Sequence, residues 1–97
     1  MSSGVPYDRL TPRDLYRQLD WIREEWDSAT DPEMTRKLQR LRDAVDRLPG
    51  RYYALAKPLV AALGYCRLQR LSPYEARLVD LTDVIREWAV ERDGRSA

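Results

Sequence analysis

Hydrophobic residues recur at alternating intervals of four and three positions along three segments of the chain. The three sets are Leu15, Leu19, Ile22 and Trp26; Met34, Leu38, Leu41, Val45 and Leu48; and Tyr74, Leu78, Leu81, Ile85 and Trp88. This spacing brings the members of each set to one side of an α-helix, as in the seams along which helices pack. The pattern predicts helices over about residues 12–28, 32–48 and 73–92, and no segment shows the alternation of a β-strand.

Each of these helices is preceded by a small polar residue and a proline. The pairs are Thr11-Pro12, Asp31-Pro32 and Ser72-Pro73. The polar side chain can accept a hydrogen bond from the first turn, and proline costs nothing at the first helical position because its missing N–H would have no partner there. Asp14 and Glu75 follow three residues after Thr11 and Ser72, which predicts capping boxes at these two starts.

Residues 52–66 form an apolar run with one charged side chain, Lys57, although 34% of the chain is charged. A helix over about residues 51–70 fits a packing seam in this segment. The members of that seam are Tyr52, Ala56, Leu59, Leu63 and Cys66. Pro58 has no N–H to donate within a helix and its ring crowds the preceding turn, so we expect this helix to be kinked or broken near Pro58.

The four predicted helices are joined by short connections, and Pro49-Gly50 separates the second from the third. Short connections favour antiparallel neighbours, so the predicted fold is all-α, an antiparallel up-down-up-down four-helix bundle. With 97 residues the chain is expected to form a single helical domain. Residues 1–10 are predicted to be an extended or flexible N-terminal segment, and residues 93–97 a flexible tail.

The side of the apolar run that faces away from its seam has no charge except Lys57 at one edge. Its residues are Ala54, Ala61, Gly64, Tyr65 and Leu68. A helix that is apolar all round is normally buried on all sides, which is difficult in so short a chain. Either the neighbouring helices enclose this segment, or its outer side binds a second copy of the chain or another protein.

The second interpretation is the functional hypothesis. We expect a non-enzymatic helical protein-interaction module, either a homo-oligomer or a small subunit, adaptor or inhibitor of a larger assembly, that docks through the Arg-flanked face of residues 51–70. The candidate partner-binding residues are Trp21, Arg51, Tyr52, Tyr53, Ala61, Tyr65, Arg67 and Leu68. Trp21 is included because it lies about 120° from the first seam, on the flank of its helix; it covers either a partner or a neighbouring part of the chain.

The charge distribution suggests an alternative function. The net charge is +1, but residues 36–70 carry nine basic and two acidic residues, and 15 of the 17 basic residues are arginine. Arginines interleaved with tyrosines suit an accessory nucleic-acid-binding subunit that follows a phosphate backbone. The candidate contacts are Arg36, Lys37, Arg40, Arg47, Arg51, Lys57 and Arg70. In a third interpretation, the arginines of the second helix pair with the acidic residues of the first.

Catalytic chemistry has little support in this sequence. It contains no histidine, which removes the usual general base and the usual zinc ligand, and it has no calcium-binding loop or phosphate-binding glycine run. We therefore expect no enzyme activity, cofactor or metal. The single cysteine, Cys66, lies among apolar residues and is predicted to belong to the core. The apolar run is too short for a membrane span and the chain does not begin with a signal peptide, so a cytoplasmic protein without membrane contact is expected.

Overall fold

The computed structural model describes residues 10–75 and 77–96. This part of the chain forms four α-helices, α1 Pro12–Glu25, α2 Asp31–Val45, α3 Gly50–Leu68 and α4 Leu78–Ser96, and it contains no strand. The predicted all-α class is therefore confirmed. The predicted N-terminal segment falls almost entirely on residues 1–9, outside the described residues. Helix α4 continues through most of the segment predicted as a tail.

The helices surround one hydrophobic core. Helix α1 packs against α2 and α4, and α3 packs against the same two helices, whereas the diagonal pairs of the described helices do not approach closely. All nine seam residues predicted for α1 and α2 are buried. In α3 the seam is buried except for Leu59, which is partly buried, and Val60 joins the core beside it. Cys66 is a free thiol in this core, as predicted.

The starts of α1 and α2 follow the capping signals, with a correction at α2. The Thr11 hydroxyl accepts a hydrogen bond from the Asp14 amide and the Asp14 carboxylate accepts one from the Thr11 amide, which is the predicted capping box. The N-cap of α2 is Thr30, not Asp31, and Thr30 forms an equivalent box with Glu33. The spacing Thr30-x-x-Glu33 is a sequence signal for this box, and it leaves the Asp31 carboxylate available for other contacts.

The start of α4 differs most from the prediction. Ser72 and Glu75 form the expected reciprocal hydrogen bonds, with N···O distances of 3.2 and 3.4 Å, but they enclose only a turn. Arg77 has φ = 60°, a left-handed conformation that no residue inside a right-handed helix adopts, so α4 begins at Leu78. The predicted start at Pro73 was wrong for this reason, and Tyr74 lies exposed instead of joining the α4 seam.

Helix α3 runs through Pro58 without interruption, so the predicted break is absent. Pro58 lies on the exposed side of the helix. Because proline has no N–H, the carbonyl of Ala54, four residues earlier, lacks its helical donor, and an exposed position lets this acceptor bind water. Solvent exposure therefore explains how the helix tolerates a proline at its centre.

Candidate functional site

The outer face of α3 consists of Ala54, Pro58, Ala61, Tyr65 and Leu68. These residues are spaced by four, three, four and three, so they form a second apolar seam on the side of α3 opposite the core. All five are exposed, with 62% of Tyr65 and 80% of Leu68 accessible to solvent. The interpretation in which neighbouring helices enclose α3 on all sides is therefore wrong. Between Ala54 and Leu68 the face extends for about 21 Å along the helix.

Charged side chains flank the outer face on both sides. On the side of α2, Lys57 Nζ lies 2.7 Å from Asp46 Oδ1, and this hydrogen bond raises the pKa of Lys57. On the other side, hydrogen bonding to the Tyr52 hydroxyl and then the charges of Tyr52, Glu91 and Glu87 raise the pKa of Arg51. Helix α3 itself contains no aspartate or glutamate.

Gly64 provides space for a third flanking cation, Arg42 of α2. A Cβ atom added at Gly64 would lie 3.5 Å from Arg42 Nη2, so the guanidinium group rests beside the helix backbone. Arg42 donates a hydrogen bond to Gln39 Oε1 at 3.3 Å and makes no ion pair within the described residues. Its charge also opposes protonation of Lys57, which indicates that the two cations are close together.

Two predicted partner-binding tyrosines occupy different positions. Tyr52 is buried in the core, where its hydroxyl accepts a hydrogen bond of 2.9 Å from Arg51. Tyr53 is partly exposed on the α2 side of α3, with Lys57 Nζ 5.7 Å from its ring centroid. Tyr52 therefore supports the outer face from beneath, and Tyr53 borders it.

Trp21 lies between α1 and α2 rather than projecting into solvent. The ring packs partly buried against the core, and Lys37 Nζ of α2 lies over it at 4.9 Å from the centroid. This contact matches the interpretation in which Trp21 covers a neighbouring helix. Trp21 and Lys37 are therefore distant from the outer face of α3, because α2 lies between α1 and that face.

The predicted nucleic-acid contacts do not form one continuous surface. Arg36 and Arg40 are exposed on the side of α2 that faces away from the core, and Arg47 is exposed just after the end of α2. Arg36 and Arg40 border a shallow depression of about 440 Å³ with Lys37, Gln39 and Asp43. Lys57, Arg51 and Arg70 lie elsewhere and are each close to carboxylates. Within the described residues, no ion pair joins Arg36, Arg40 or Arg42 of α2 to an acidic residue of α1.

Arg67, predicted as a rim contact, instead connects three parts of the fold. Its side chain is 11% exposed and donates hydrogen bonds to the carbonyl oxygen of Trp26, to that of Ala29 at 2.9 Å, and to Asp31 Oδ1 at 2.9 Å. The first two acceptors belong to the turn between α1 and α2, where the helix end leaves carbonyl groups without partners. Arg67 therefore holds this turn against the C-terminal end of α3.

Arg70 completes this contact from the surface. Its two terminal nitrogens lie 3.0 Å from the two carboxylate oxygens of Asp31, a bidentate arrangement. Hydrogen bonds from Arg70 and then from Arg67 lower the pKa of Asp31 below its ordinary value of 3.8. Asp31 of the same chain therefore binds Arg67 and Arg70, two arginines that the sequence predicted to contact a partner molecule.

Acid should weaken the fold through Asp31. A carboxyl group with a lowered folded-state pKa stabilises the folded state above its unfolded pKa, and that contribution is lost as the pH falls below 3.8 and through the folded value. We expect the urea midpoint of Asp31→Asn to decline less steeply than that of the wild type between about pH 5 and pH 2. Arg70→Gln should reproduce part of the effect. Parallel declines for wild type and Asp31→Asn would contradict this assignment.

The described residues show no other obvious ligand site. No group of three or more histidine, cysteine, aspartate or glutamate side chains among them could hold a metal ion, and none of their helices is long and apolar enough to cross a bilayer. A depression of about 330 Å³ beside Asp31 is lined by Arg67, Arg70 and the residues that these two arginines already bind. Comparisons with protein-family models, curated proteins and solved structures found no match to the chain.

Proposed function

We propose that this chain is a non-enzymatic protein-interaction module that docks through the outer face of α3. The observation that supports the proposal is the second apolar seam, with Tyr65 and Leu68 exposed at 62% and 80%. Scattered exposed apolar residues are common on protein surfaces, but a contiguous stripe at helical spacing is typical of helix-binding surfaces. The side chains of Ala54 and Ala61 are small, so a partner can closely approach the helix backbone in that half of the face.

We also propose that neighbouring helices run in alternating directions. This arrangement leaves one full side of α3 exposed to solvent. Trp26, at the C-terminal end of α1, donates from Nε1 to the carbonyl oxygen of Leu71, just after α3, at 2.9 Å. Lys57, in the first half of α3, pairs with Asp46 at the end of α2. Both contacts are those expected of an up-down-up-down bundle. A kink at Pro58 remains a prediction.

Replacing Leu68 by glutamate should abolish association while leaving the fold intact. The glutamate would place a charge within the buried contact, at its C-terminal end, where it would lose its hydration without gaining a partner. The matched control is Val90→Glu, because Val90 is also a highly exposed aliphatic residue, at 67%, but lies on α4. Association is measured by light scattering of the purified protein and by quantitative affinity purification from the source cells.

We expect wild type and Val90→Glu to self-associate or to recover the same partner in near-stoichiometric amount, and Leu68→Glu to do neither. All three proteins should show the same helical circular dichroism, because neither side chain belongs to the core. Equal association by wild type and Leu68→Glu would contradict the proposal. So would a wild-type protein that remains a monomer and recovers nothing beyond the Leu68→Glu background.

A further inference from the structure

We draw no further inference here: the strongest candidate, the exposed outer face of α3, carries nothing beyond the proposed function, because Asp46 balances Lys57 at one edge and Glu87 and Glu91 balance Arg51 at the other, so nothing in the structure shows what covers it.

Discussion

Replacing Arg67 by alanine is expected to lower the free energy of unfolding by about 2–4 kcal/mol, a large part of the stability of a chain this size. The change removes hydrogen bonds to the carbonyl oxygens of Trp26 and Ala29 and to Asp31. It also leaves these acceptors without donors in a partly buried place and removes the packing of the side chain against Trp26. Urea denaturation followed by circular dichroism measures the loss.

Arg70→Ala is the matched control, because Arg70 binds the same Asp31 but is 69% exposed. Exposed ion pairs contribute little, so we expect a loss below about 1 kcal/mol for this variant. Arg67→Lys should fall between the two, since an ammonium group cannot span three separated acceptors as a guanidinium group does. Equal losses for Arg67→Ala and Arg70→Ala would show that Arg67 does not hold the α1–α2 turn.

Replacing Pro58 by alanine is expected to raise the free energy of unfolding by about 1–3 kcal/mol. Alanine restores the N–H that can donate to the carbonyl of Ala54, and it removes the contact of the proline ring with the preceding turn. Part of the gain is offset because alanine makes the unfolded chain more flexible than proline does. The exposed position of Pro58 means that no core packing is lost. Thermal and urea unfolding both report this change.

Pro12→Ala serves as the control for Pro58→Ala. Pro12 is the first residue of α1, where a backbone N–H would have no acceptor within the helix. The same substitution should therefore change the free energy of unfolding by less than about 0.5 kcal/mol. A similar gain at both positions would show that the gain at Pro58 does not come from the restored N–H inside the helix. Destabilisation at Pro58 alone would mean that its ring makes favourable contacts in the folded chain.

Much of the fold follows from local sequence signals. The seams of α1 and α2 are strictly periodic and both are fully buried, because a helix with one apolar side has only one way to face a core. The start at Thr11 is equally local, since the cap and the box lie within four residues. The start of α4 carried the same signals at Ser72, yet the left-handed backbone at Arg77 ends that turn. The presence of an arginine does not indicate a left-handed conformation. The conformation depends on how the connection between α3 and α4 packs against the core.

The candidate site could be predicted in part. The outer face of α3 could be recognised from the run of residues 52–66 with one charged side chain, whereas its exposure to solvent could not be decided from the sequence. The role of Arg67 could not be predicted, and the choice between the two expected roles of Trp21 could not be made, because both depend on which residues of other helices lie nearby. Arg67 contacts residues about 40 positions earlier in the chain, and Lys37 covers Trp21 from α2. Contacts of this kind are set by packing rather than by helical spacing.

The order in which the helices touch has a consequence for how the chain folds. Among the described residues, three of the four helix contacts join consecutive helices, and the fourth, between α1 and α4, brings distant parts of the chain together. Contacts between sequence neighbours lose little loop-closure entropy, so we expect fast folding, in the microsecond-to-millisecond range of helical bundles. The α1–α4 interface closes the longest loop. It should therefore form last on refolding and be the first to open when the native chain fluctuates.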